Sequence, residues 1–165
     1  MSRMLVAYFS VTGRTSKLGE KLARCIGANL HEIVPKDVYS SADINWMDKN
    51  SRSSIEMRDE NARPEIANFV QDMSSYGIVY VGFPIWWYVA PRIVNTFLES
   101  YDMSGKIVVP FATSGGSGIG DTNAKLAPSC KNAILVEGRV FRPSTDEDTL
   151  KEWAMEVINR DISHM

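Results

Sequence analysis

The sequence predicts an α/β fold, a parallel sheet covered by helices on both faces. Three observations predict it. Short apolar runs alternate with helix-like stretches along the chain, which is the pattern of parallel strands joined by crossover helices. The run from Ile78 to Phe83 is apolar without a break, as strands buried on both faces are. The chemically specialised residues fall just after strands, where a parallel sheet gathers its ligand-binding loops.

The elements follow in order. Residues 4–9, Met-Leu-Val-Ala-Tyr-Phe, form the first strand. Residues 12–26 form a helix with Leu18, Leu22 and Ile26 on one face, and Gly27 ends it. A short strand covers 29–34, and a polar stretch without clear period covers 35–63. A second helix is expected over 64–75, with Pro64 at its first turn. The third strand is 78–83, the third helix 92–101 and the fourth strand 106–112. A short helix over 121–126, a fifth strand over 133–136 and a last helix over 145–160 complete the chain. Leu150, Trp153, Val157 and Ile158 form the apolar face of that last helix.

A length of 165 residues suits one domain spanning 1–165. Lysine plus arginine number 18 against 20 aspartates plus glutamates, a net charge of −2 that argues against nucleic acid as a partner. No apolar run reaches membrane-spanning length and no signal peptide is visible, so a cytoplasmic protein with no membrane partner is expected. Cys25 and Cys130 are distant from each other and read as reduced core thiols. His31 and His164 are too few and too poorly placed for a zinc site or a histidine triad, and no metal is expected. Neither cysteine opens a C-x5-R loop, and G-x4-G-K-[ST] and G-x-S-x-G are absent.

Three loops carry the chemistry. Ser10-Val11-Thr12-Gly13-Arg14-Thr15 follows the first strand and leads straight into a helix. Hydroxyls, a glycine and the unpaired amides at a helix start suit a phosphate. The same residues also suit a plain helix start with Thr12 as N-cap. Pro84-Ile85-Trp86-Trp87-Tyr88-Val89-Ala90-Pro91 follows the third strand and offers a flat, proline-framed aromatic surface. Thr113-Ser114-Gly115-Gly116-Ser117-Gly118-Ile119-Gly120 follows the fourth, and its backbone can lie against a planar ligand. Together they describe a ligand with a phosphate, a polar linker and a large flat heterocycle.

Over nearly its whole length, the chain with these three loops resembles the flavodoxin family, in particular a short branch with a Trp-Trp second loop. The resemblance implies a flavodoxin-like five-stranded sheet in the order 2-1-3-4-5 and noncovalent flavin mononucleotide (FMN). It places Ser10, Thr12, Gly13, Arg14 and Thr15 at the phosphate. It places Pro84, Ile85, Trp86 and Trp87 beside the flavin ring, and Thr113, Ser114, Gly115, Gly116 and Gly118 along its pyrimidine edge. No side chain is expected to act as general acid or base.

The chain departs from the family pattern in two places. Tyr88 stands where many relatives carry a glycine whose peptide flips on flavin reduction. A non-glycine residue at positive φ costs about 1 kcal/mol or more, so weak stabilisation of the half-reduced flavin is expected. The third loop also lacks the tyrosine that stacks on the outer flavin face in many electron carriers. Two functions are therefore expected: an electron-transfer flavodoxin exchanging electrons with a partner protein, or an NAD(P)H-dependent reductase of quinones or similar small acceptors. The aromatic 86–88 segment also offers a surface for a homodimer.

Overall fold

A computed structural model describes residues 3–162; His164 lies outside them. The strands are β1 (Arg3–Tyr8), β2 (Asn29–Glu32), β3 (Tyr76–Pro84), β4 (Ile107–Thr113), β5 (Ile134–Leu135) and β6 (Arg139–Val140). The helices are α1 (Arg14–Ile26), α2 (Arg52–Arg58), α3 (Arg92–Glu99), α4 (Thr122–Leu126) and α5 (Glu147–Ile162). The strands pair in parallel in the order β2-β1-β3-β4-β5, as expected, with β6 also pairing with β4.

Strand alternation divides the core between the two faces of the sheet. Val79, Val81 and Phe83 of β3 point to one side, where Ile93, Val94, Phe97 and Leu98 of α3 and Leu126 of α4 cover them. Ile78 and Tyr80 point to the other, under Leu18 and Leu22 of α1 and Leu150, Trp153 and Val157 of α5. Period 2 in the strands thus meets period 3.6 in the helices on both faces. Gly82 is required at its place in β3, because a Cβ there would fall 2.2 Å from the Phe111 ring of β4.

Two expectations need correction. The helix over 64–75 does not form; its only helical turn is a 3₁₀ turn at Met73–Ser75. Extended pairing takes the segment instead. Pro35 bridges Ile66, and the Ala67 N–H donates to the Val34 carbonyl at 2.7 Å. The Asn68 side chain accepts from Val34 N at 3.1 Å and donates to the Glu32 carbonyl at 2.8 Å, so it lies along the edge of β2. The fifth strand is also shorter than expected. It breaks after Leu135, and the chain rejoins β4 as β6; the Asn123 amide holds the break, donating to Val136 O at 2.7 Å and accepting from Gly138 N at 2.9 Å.

The polar 35–63 stretch is ordered by its own short helix. Ser51 caps α2, accepting from Ser54 N at 3.3 Å. Glu56 of α2 accepts from the Tyr39 hydroxyl at 2.5 Å and from Arg52 Nε at 2.9 Å, while the Arg52 guanidinium lies 3.7 Å from the Tyr39 ring centre. Burial, and next the Glu56 hydrogen bond, push the Tyr39 phenol up, so it stays protonated and donating. Tyr39 carries this segment onto the sheet edge where the three loops meet, packing edge-on against Phe9 and Trp86.

Candidate functional site

The three loops meet at the carboxyl edge of the sheet, around two adjoining clefts. The first, of about 680 Å³, is lined by Thr12, Gly13, Arg14 and Lys17 on one side and by Arg142, Pro143 and Ser144 on another. Gly13, not Thr12, is the N-cap of α1. It sits at φ 89° with no side-chain cap, and its N–H donates to Ser10 Oγ at 3.2 Å. The N–H groups of Arg14, Thr15 and Ser16 find no acceptor among the described residues. Arg14, Lys17 and Arg142 form no ion pair among the described residues. Three unpaired cations and the open start of a helix make a strong anion site.

The second cleft, of about 530 Å³, is aromatic. Ile85, Trp86, Trp87 and Tyr88 line it from the second loop, Ile44 and Trp46 from the 35–63 segment, and Ser117 from the third loop. Ser114, Gly115 and Gly116 line both clefts and join them into one groove. Ser114 Oγ accepts from Gly116 N at 3.1 Å and lies 2.9 Å from Ser117 Oγ, which fixes the turn of that shared wall.

The second loop is a tight hairpin. Trp86 N donates to Val89 O at 2.9 Å, and Val89 N donates back to Trp86 O at 3.2 Å. Its two central residues, Trp87 and Tyr88, have φ of 49° and 67°. Two successive left-handed residues are the mark of a type I′ turn, where Asn-Gly is the usual pair. With bulky residues there, the strain is on the order of 1–2 kcal/mol each. Neighbours hold it in place. Trp86 packs edge-on against Phe9 as well as Tyr39, and Ile85 N donates to Thr113 O at 2.8 Å. Asp121 N donates to Tyr88 O at 3.2 Å, and Gly120, at φ 56°, lets that carbonyl approach; a Cβ there would lie 2.3 Å from it.

The expected site residues thus divide. Thr12, Gly13 and Arg14 line the cationic cleft, Ile85, Trp86 and Trp87 the aromatic one, and Ser114, Gly115 and Gly116 both. Ser10, Thr15, Pro84, Thr113 and Gly118 are not in either lining. Ser10 shapes the first loop, Thr15 and Thr113 are buried against each other, and Pro84 ends β3 in register with Thr113. Of the two tryptophans, Trp86 is the half-buried one and Trp87 the more exposed. Sequence reasoning missed Lys17, Arg142, Ser144, Ile44, Trp46 and Ser117. Lys17 lies one helical turn beyond Gly13, a spacing that could have found it; Ser117 lies inside the third loop, and the others come from parts of the chain with no motif.

Among the described residues, no cysteine or metal-ligating cluster makes a second reactive centre. Cys25 and Cys130 are free thiols, and burial raises both above the ordinary thiol range. Among the described residues, no cluster of His, Cys, Asp and Glu could hold a metal ion. Among the described residues, no helix is long and apolar enough to cross a membrane.

Comparison with known proteins agrees with this architecture. A family model described as Flavodoxin matches residues 3–157. A candidate flavoprotein from Bacteroides eggerthii is 44% identical, with a TM-score of 0.90 over 96% of this chain and 99% of its own. One from Bacteroides uniformis is 41% identical, with a TM-score of 0.88 over 93% and 98%. A Lactobacillus acidophilus flavoprotein solved in complex with FMN shares the fold, with a TM-score of 0.71 at 20% identity over 93% and 99%. No curated protein matches significantly.

Proposed function

The chain belongs to the flavodoxin family, and on that premise we propose that it binds FMN noncovalently and works in electron transfer. The observation that carries the proposal is the groove, a cation-lined cleft at a helix start joined through Ser114, Gly115 and Gly116 to an aromatic cleft. The residues present fit the cofactor. Thr12, Gly13, Arg14, Lys17, Arg142 and Ser144 would hold the phosphate. Ile85, Trp86, Trp87 and Trp46 would flank the ring, and the 114–116 backbone would face its polar edge. The FMN complex of the Lactobacillus acidophilus relative supports the choice of ligand.

Bound flavin supplies the redox chemistry. The protein's residues would neutralise the phosphate and orient the ring, with Trp86 lining the cleft that would receive it.

A second reading, an NAD(P)H-dependent reductase of quinones or similar acceptors, is favoured by the exposure of the cleft's rim. Trp46 is 71% and Tyr88 66% exposed, which leaves flat apolar surface for a small planar reactant. One experiment tests both. The purified protein is reconstituted with FMN, its visible spectrum is followed through stepwise reduction, and NADPH is added with and without a quinone. A flavin spectrum with no direct NADPH oxidation supports the carrier. Steady quinone-dependent NADPH oxidation supports the reductase. A sample that never takes up flavin removes both.

A further inference from the structure

A smaller cleft, of about 210 Å³, adjoins the aromatic one and shares Trp46 and Trp87 with it. Ser54, Met57, Lys49 and Arg58 complete its lining. Its two cations have no acidic partner: neither Lys49 nor Arg58 forms an ion pair among the described residues. They are also tied together, since Arg58 Nη1 donates to the Lys49 carbonyl at 2.8 Å. Ser54 Oγ donates to the Asp48 carbonyl at 2.7 Å and anchors the same turn from below.

We propose that this cleft binds a second ligand, a small planar aromatic molecule carrying an anionic group. Two indole rings and the Met57 side chain suit a flat apolar body. Two unpaired cations at the same opening suit a sulfonate, carboxylate or phosphate. The volume suits one or two fused rings, not a polymer. On the reading above, the flavin ring fills the aromatic cleft, so a molecule here would share Trp46 and Trp87 with it.

The test is calorimetric titration of the FMN-loaded protein with naphthalene-2-sulfonate and with the uncharged, equally shaped naphthalene-2-sulfonamide. The sulfonate is expected to bind about tenfold more tightly, the sum of two exposed charge contacts. High salt removes that preference. Lys49→Gln with Arg58→Gln removes it too, without change in flavin content. Equal affinities in the unaltered protein would overturn the proposal. So would a preference that survives the double substitution, binding that only displaces flavin, or an acidic protein partner that docks where the sulfonate does not. The flavin spectrum of the same sample reports separately on the cofactor. If no flavin is taken up, the titration of the flavin-free protein still decides whether the cleft prefers the anion.

Discussion

The hydroxyl of Thr15, in the first turn of α1, lies 2.8 Å from the hydroxyl of Thr113, the last residue of β4. Both residues are buried, and 98 positions separate them in the chain. The pair locks the cation-lined end of the groove to the wall that the two clefts share. Replacing either threonine by valine leaves one buried hydroxyl unpaired, at a cost of about 1–3 kcal/mol. The double Thr15→Val, Thr113→Val variant is expected to lose less than the sum of the two, as read by urea denaturation.

Gly120 holds the second loop through the Tyr88 carbonyl. Gly120→Ala drives a methyl into that oxygen and strains a positive φ. A loss of about 2 kcal/mol in folding stability and weaker flavin binding are expected, measured by denaturation and by flavin fluorescence titration. Unchanged flavin affinity would mean that the Trp87–Tyr88 turn does not shape the ring site.

The cationic cleft predicts a selective loss. Lys17→Gln and Arg142→Gln should each weaken FMN binding about five- to tenfold and leave riboflavin, which lacks the phosphate, unaffected. Parallel calorimetric titrations with the two flavins check this. Equal losses for both would place the two side chains at the ring instead.

Much of the groove formed by the two clefts was legible and part of it was not, for physical reasons. Ser10 to Thr15 are contiguous, so the loop announces itself. Arg142 arrives from the connection between β6 and α5, and only the closure of the sheet brings it near Gly13. Trp46 sits in a stretch with no hydrophobic period to mark it. The false helix has a local cause. Ile66, Phe69, Val70 and Met73 repeat at helical spacing, yet Phe69 is 69% exposed and Asn68 spends its amide on β2. Tertiary pairing there outweighs the local pattern. The long strands and the helices α1, α3 and α5 were legible because burial on two faces or one stripe dictates their composition.

The turn also bears on reduction. Trp87 and Tyr88 already occupy left-handed φ, so a backbone change that needs glycine's freedom starts from a strained, braced loop. Stepwise reduction of the FMN-loaded protein is expected to show only a small half-reduced population. Tyr88→Gly relieves strain of about 1 kcal/mol in the turn as it already stands, so by itself it should not raise that population. A large half-reduced population in the unaltered protein would contradict this.

His31 predicts a pH dependence. Its Nε2 is buried without a partner, its ring stacks on Phe97, and burial holds its pKa below the ordinary value of 6.5. The unfolded chain therefore takes up a proton that the folded chain refuses, so this contribution is intact above pH 6.5 and is lost as pH falls towards the folded pKa. Urea denaturation between neutral and mildly acid pH should show stability falling, and His31→Phe should flatten that slope.

The amide of Asn68 has a consequence for how copies of the chain can meet. An open strand edge invites a strand from another molecule, and such addition propagates. Here Asn68 and Ala67 already engage the Glu32 carbonyl and both backbone groups of Val34, so incoming backbone finds that end of the edge taken. Association at this end must proceed through side chains, which can be selective and finite, and not through growth of the sheet.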